Sequence, residues 1–452
     1  MVNLRHLDIQ TFLNEQPFTK FQWRIFALCF LVVLLDGFDT GAVGFVAPSL
    51  IQEWGVTRPA LAPVLSAALF GLAAGALFAG PLADRLGRKI VLVASVALFG
   101  AASLGAGFAD NLAQLTVWRF IAGIGLGAAM PNAVTLFSEY CPERSRSALT
   151  NAMFCGFPLG AALGGVLSAW LVPHLGWRSI FVLGGVAPLV LAIFVAARLP
   201  ESVRYLIAKG GPIDRVRSTL GRIAPLPAGV ESFDLHEAAP VAARGGLSLV
   251  FSRSYFVGSL TLWVTYFMGL VIFYALINWM PILLRDAGLQ PPQAALVSAL
   301  FPLGGMGAVA SGWFMDRFNA NRIVALGYAL TAVSIYAVGQ AVGNVGLLVL
   351  AVFVAGIMMN TAQSSLGSLA AAFYPTQGRA TGVAWMMGIG RFGGIFGSFL
   401  VAELTRRQLD FGTIFAIMAV PGLVACFALL VKQWASPEAV RDVSEAPVAA
   451  SH

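Results

Sequence analysis

Apolar stretches of about 20 residues recur along the whole chain, and no single motif constrains the fold as strongly as this recurrence. A helix rises about 1.5 Å per residue, so each stretch can cross a hydrocarbon layer of about 30 Å. Backbone amides find no water there, and a helix satisfies them within one segment. Twelve spans are expected, at residues 25–47, 60–80, 90–108, 112–137, 148–171, 179–197, 256–283, 292–314, 323–342, 346–371, 380–403 and 411–431. Only 11% of the residues are charged and mean hydropathy is +0.81, against roughly a quarter charged in soluble domains. The chain is expected to be an all-α membrane protein.

Lys and Arg set the orientation. Of the 28, 21 fall on one side, five (Arg58, Arg178, Arg285, Arg406, Arg407) fall on the other, and Arg119 and Arg391 lie within spans. By the positive-inside rule both termini are cytoplasmic, and the net charge of +7 is a matter of topology rather than a sign of nucleic acid. The opening "MVNLRHLDIQTFLNEQPFTKFQWR" is polar and lacks a small-residue cleavage site, so the first helix is expected to stay. The cysteines show no paired spacing and no histidine sits mid-span, so neither a disulfide frame nor a metal site is implied.

The longest polar stretch divides six spans from six. The expected organisation is an N-terminal half at 1–197, a cytoplasmic linker at 198–255 holding a short amphipathic helix, a C-terminal half at 256–433, and a disordered tail at 434–452. The halves are copies. "GPLADRLGRK" meets "GWFMDRFNAN" at a shift of 232 residues, with Asp84 over Asp316 and Arg85 over Arg317. At 233, "FIAGI" meets "FVAGI", Arg146 meets Arg379, and Gly160 and Gly164 meet Gly393 and Gly397. Paired six-helix halves with a substrate site near the bilayer midplane are a transporter architecture.

These segments, with "LPESVRYL" after span six, resemble the major facilitator superfamily across nearly the whole chain. "DGFDT" in span one, "RFIAGIGLGAAMPNAVTLFSEYCPERSR" in span four and "NAMFCGFPLGAALGG" in span five look like the aromatic acid/proton symporters, most of all members that carry 4-hydroxybenzoate and protocatechuate. The resemblance implies twelve transmembrane helices in two pseudo-symmetric halves, transport serving aromatic hydrocarbon catabolism, and importance for Asp36, Asp39, Arg119 and Arg391, which match family positions.

The residues themselves bear on that expectation. Asp36 and Asp39, three apart, share a helix face, and a carboxylate at membrane depth normally faces a cavity or a partner. Such a group can take a proton from one side and release it to the other as its hydration changes. The alternative is a structural staple between helices packed closely at Gly37, Gly41 and Gly44. Below the outer face, Asp39 lies about 12 Å deep, Asp36 about 16 Å, Arg119 about 10 Å and Arg391 about 18 Å. All four therefore fall at similar levels. Either arginine can clamp a carboxylate with two parallel hydrogen bonds. Arg119 is nearer Asp39 in depth and suits a counter-ion, so Arg391 is the preferred anchor.

A ring-shaped substrate calls for aromatic walls and a few polar groups. Tyr266, Tyr274 and Asn278 recur at helical spacing in span seven, Asn360 and Gln363 lie in span ten, and Asn132 lies in span four. Lipid-facing aromatics are the competing explanation. The glycine runs of spans five and eleven are expected to pack helices rather than bind ligand. On the cytoplasmic side, Asp84, Arg85 and Arg88 with Glu139 and Arg146 suit a latch of salt bridges that breaks between states. Asp316, Arg317 and Arg379 are its decayed copy. Simple positive-inside anchoring competes for the basic members.

No nucleotide-binding loop or nucleophile elbow is present, so the chain is expected not to be an enzyme. The reading is a proton-coupled importer of an aromatic carboxylate: a multi-pass monomer of the bacterial inner membrane, partnered by substrate, protons and lipid, with no cofactor. The alternatives are a sugar or polyol porter and a sensor of aromatic acids. "DGFD", Arg391 and the lack of a "PETKG"-like motif argue against the porter.

Overall fold

A computed structural model describes residues 6–227, 230, 232–234, 246–307, 317–374 and 376–435. Among them, eleven helical stretches are long and apolar enough to cross a membrane. They comprise α2 (Lys20–Trp54), α3 (Ala62–Leu86, entered by a 3-10 turn), α4 (Arg88–Gly107), α5 (Leu112–Ser138), α6 (Glu143–Phe154) with α7 (Gly156–Leu175), and α8 (Arg178–Arg198). In the second half they are α12 (Phe256–Asp286), α14 (Ala320–Gln340), α15 (Val345–Phe373), α16 (Thr376–Arg406) and α17 (Phe411–Ala435). The expected eighth span begins as α13 (Pro291–Leu303) and continues into a 3-10 turn, Gly304–Gly307; the rest lies outside the described residues.

The helices overrun the expected spans. α2 has 35 residues and so runs about 52 Å, well beyond the hydrocarbon layer. The expected fifth span is interrupted at Cys155. Pro158 explains the break, because it has no N–H for the carbonyl four residues back and its ring clashes there; that residue is Phe154, where α6 ends. Between α3 and α4 the turn rests on Gly87, whose φ of +102° lies in the region glycine favours. A Cβ there would also strike the Glu201 carboxylate.

Contacts divide the chain into two compact units that differ from the sequence halves. The first holds residues 1–40, 70–160 and 178–239; the second holds 41–69, 161–177 and 240–452. In the second unit the C-terminal end of α2 is bound to α12. Arg285 Nη1 donates to the Pro48 carbonyl at 2.6 Å, and Arg58 pairs with Asp286 at 2.6 Å. A side chain at Gly44 would run into the Ile277 carbonyl.

The duplication is visible as a repeated crossing. In the first unit a Cβ at Gly160 would land on the Leu34 carbonyl, so α7 and α2 meet backbone to backbone. In the second, Gly393 on α16 meets the Phe267 carbonyl of α12 in the same way. Both partners are related by the 233-residue shift found in the sequence. The glycine runs are thus used for packing, as expected.

The linker and the N-terminal segment hold more structure than their sequences indicate. Strand β1 (His6–Asp8) pairs in parallel with β2 (Ser232–Asp234), with Leu7 opposite Phe233. Asp8 then caps α1 (Ile9–Glu15) by accepting from Thr11 N at 2.7 Å. The buried face of α1, formed by Ile9, Phe12 and Leu13, joins one apolar core with Val203 and Leu206 of α9 (Val203–Ala208) and Val216 and Leu220 of α10 (Ile213–Leu220). α10 is the amphipathic helix expected there. Residues 199–234 therefore belong largely to the folded body of the first unit, and a short α11 (Gly246–Val250) leads into the second.

This packing makes a prediction. Phe12 is 3% exposed, so Phe12→Ala removes a buried ring and is expected to cost about 3–5 kcal/mol of local stability. Hydrogen exchange of the detergent-solubilised protein should show loosened protection in residues 6–15 and 203–220, with α12 to α17 unchanged.

Candidate functional site

In the first unit, α2 delivers Asp39 and α5 delivers Arg119 to one point, each side chain 1% exposed. Arg119 Nη1 donates to Asp39 Oδ2 at 2.7 Å, and Nη2 donates to the Asp39 carbonyl at 3.2 Å. Ser103 of α4 donates to the other carboxylate oxygen, and the guanidinium lies 5.9 Å from the Phe181 ring centre of α8. Four helices thus converge on one ion pair. Gly184 of α8 permits the approach, since a Cβ there would already contact the Phe38 ring. Arg119 Nε is buried with no acceptor among the described residues.

Asp36, one turn earlier, is 2% exposed and accepts from Thr40 Oγ1 at 3.4 Å. The two aspartates are both buried, but they serve different partners. Arg119 is the counter-ion of Asp39, the role its depth suited. Asn132 is also buried in this unit, with its amide on the Ala128 carbonyl at 2.7 Å.

In the second unit, the remaining sequence-derived residues lie on α12, α15 and α16. The Tyr266 ring packs on Gly390, beside Arg391, and its hydroxyl lies close to Gln363. Tyr274 packs on Gly394 one turn further along and meets Phe273 edge to face at 5.2 Å. Arg391 is partly buried. Asn278 donates to Ser398 Oγ at 3.1 Å and the Leu65 carbonyl at 3.4 Å; Asn360 donates to the Gly356 and Phe301 carbonyls at 2.8 and 3.2 Å. Both amides therefore spend their donors inside the protein. Tyr328 of α14 is a member that sequence reasoning missed, donating to Gln363 Oε1 at 2.6 Å. Ser103 is another. Each is a lone neutral residue in an apolar run, with no sequence signal to separate it from ordinary packing.

The expected latch cluster forms in part. Arg88 Nε lies 3.0 Å from Glu139 and its Nη1 3.5 Å from Asp84, which is 72% exposed. Burial pushes the Glu139 carboxyl above the usual range, opposed by the Ser202 hydroxyl and the Arg88 charge. Arg85 contributes its carbonyl, which accepts from Tyr205. Arg146 turns elsewhere, to Gln10 Oε1 at 2.6 Å. Arg317 and Arg379 are exposed in the second unit, and Asp316 lies outside the described residues.

A duplicated membrane bundle with a buried ion pair inside one of its units is the build of a secondary transporter. The chain belongs to the Major Facilitator Superfamily, whose family model matches residues 29–335 and 283–450. It is a multi-pass membrane transporter with twelve helices in two pseudo-symmetric halves, and not an enzyme. It is 52% identical to a 4-hydroxybenzoate transporter of Pseudomonas aeruginosa, over 95% of this chain and 96% of that one. It is 45% identical to a gallate transporter of Pseudomonas putida, over 94% of each. A xylose transporter of E. coli, solved inward open, superposes with a TM-score of 0.72 over 90% of this chain and 96% of that one; at 18% identity the likeness speaks to fold alone.

Removing either member of the ion pair should have unequal effects. Asp39→Asn leaves a buried guanidinium that cannot shed its proton, and is expected to cost about 3–5 kcal/mol. Arg119→Gln leaves a carboxylate that can take up a proton, and should cost less. Thermal unfolding in detergent would order the variants, with the double variant more stable than Asp39→Asn alone.

Proposed function

We propose that the protein imports an aromatic carboxylate of the 4-hydroxybenzoate type across a bacterial inner membrane, coupled to protons moving inward. The observation that carries this reading is the buried Asp39–Arg119 pair, a carboxylate held by a fixed cation inside a transporter fold. Relatives at 45–52% identity are named for 4-hydroxybenzoate and gallate, which supports the substrate class. Both termini are cytoplasmic, the protein acts as a monomer, and protons are its only coupling partner.

Protonation of Asp39 weakens its hold on Arg119, so the proton and the freedom of the guanidinium are linked. Arg391, partly buried beside Tyr266, is the substrate anchor, its planar fork matching a carboxylate. Tyr266 and Tyr274 supply aromatic walls beside it. The outward-open state binds substrate while the aspartates are protonated. The two six-helix halves, 1–197 and 256–433, then rock in alternating access, and the higher internal pH releases proton and substrate. One proton per monoanion makes the cycle electroneutral; more makes uptake respond to voltage. On the cytoplasmic side the Arg88–Glu139–Asp84 contacts form the latch of one state.

The test is uptake of labelled 4-hydroxybenzoate into proteoliposomes, with an inward proton gradient switched on or off. Gradient-driven accumulation, blocked by aromatic acids and untouched by glucose, is expected. Asp39→Asn should lose uphill accumulation while retaining substrate binding. Accumulation that survives a collapsed gradient would refute the coupling.

A further inference from the structure

Resting on the transport reading and its orientation, we infer that the outer ends of α2 and α12 form an outer gate, and that Arg285 and the Arg58–Asp286 pair are the tie that must part before substrate enters from outside. The 233-residue shift sets Gly44 over Ile277, Gln52 over Arg285 and Glu53 over Asp286. The contacts follow the same correspondence. A Cβ at Gly44 would lie 2.5 Å from the Ile277 carbonyl oxygen, and Arg285 Nη2 donates to Gln52 Oε1 at 3.3 Å. Residues of one copy therefore meet their own counterparts in the other, as two subunits do along a two-fold axis. With backbone against backbone at Gly44, no substrate passes between α2 and α12 while the tie holds.

A contact between equivalent positions is attractive only where the copies have diverged, because a charge kept at both would face its like. Gln52 is the neutral member opposite Arg285, and the guanidinium adds a bond one turn back, from Nη1 to the Pro48 carbonyl at 2.6 Å. The acids have diverged in their partners. Glu53 stays within its own half and accepts from Trp177 Nε1 at 2.7 Å, whereas Asp286 crosses to Arg58 of the other half at 2.6 Å.

The tie also has the strength a gate needs. The Arg58 and Asp286 side chains are 47% and 27% exposed, and an exposed ion pair is weak and screened by salt, so it can break and re-form within a turnover. On the first-half side the moving part is already assembled: Glu53 and Trp54, which meets Trp177 edge to face at 5.3 Å, join the outer ends of α2 and α7. α2 can bend just inside the tie. Pro48 has no N–H for the Gly44 carbonyl, and Gly41 lies one turn before Gly44.

The experiment locks the tie and then loosens it. Arg58→Cys combined with Asp286→Cys, reconstituted in proteoliposomes and treated with a short, reducible, bifunctional thiol reagent, should lose uptake of labelled 4-hydroxybenzoate and regain it on reduction. Arg58→Cys alone, treated the same way, should keep it. Arg285→Gln makes positions 52 and 285 alike and removes the tie, leaving more of the protein open outward. Its KM for external substrate should fall about threefold, which a loss of folded protein does not produce. Linked protein that still takes up substrate, or an Arg285→Gln KM at or above that of the wild type, overturns the gate and leaves the transport reading standing. A wild type that takes up no aromatic acid overturns both. If the double cysteine variant does not fold, the KM of Arg285→Gln alone decides.

Discussion

A guanidinium keeps its proton at any pH a cell meets, so wherever Arg119 is buried the fold must supply a negative partner. Asp39 supplies it, and the requirement spreads outward from there. The carboxylate has a second oxygen to satisfy, which draws in Ser103 of α4; the flat cation lies against Phe181, which draws in α8. α2, α4, α5 and α8 are thereby tied at one depth. Such a pair is weak evidence for stability, since well-packed apolar residues often do as well. What the pair does fix is position, since both partners must stay in register for either charge to be tolerated.

How much of this the sequence disclosed depended on the cost of each residue in hydrocarbon. Ionisable groups are expensive there, so Asp36, Asp39, Arg119 and Arg391 stood out, and depth alone brought Arg119 to the level of Asp39. The helices were legible for the same reason, apart from the break at Cys155, which hinged on a proline three residues later. Neutral polar residues carry no comparable signal. Asn132, Asn278 and Asn360 read as substrate contacts, yet each directs its amide to protein oxygens, while Ser103 and Tyr328 passed as filler. The folded N-terminal segment escaped notice because its pieces are short. β1 has 3 residues and α1 has 7, too few for periodicity to speak, and their stability comes from β2, α9 and α10, far away in sequence.

The two copies show how an asymmetric chemistry can sit on a symmetric frame. The crossing of α7 on α2 at Gly160 and that of α16 on α12 at Gly393 are one contact used twice, and backbone against backbone tolerates almost no change. Side chains around the crossing were free to diverge. At the 233-residue shift, Asp36 corresponds to Gly269 and Asp39 to Ile272, while Arg391 corresponds to Pro158. At these positions the first copy carries two acids and a helix-breaking proline, and the second carries a glycine, an isoleucine and Arg391. Where the first copy has Asp36, the second has Gly269, and Gln363 and Tyr328 occupy the room beside it as a neutral hydrogen-bonded pair. Had both copies kept their acids, the second would have needed a counter-ion of its own. Position 352, the counterpart of Arg119, is a valine, and with Ile272 opposite the lost acid the second copy carries neither charge of the pair.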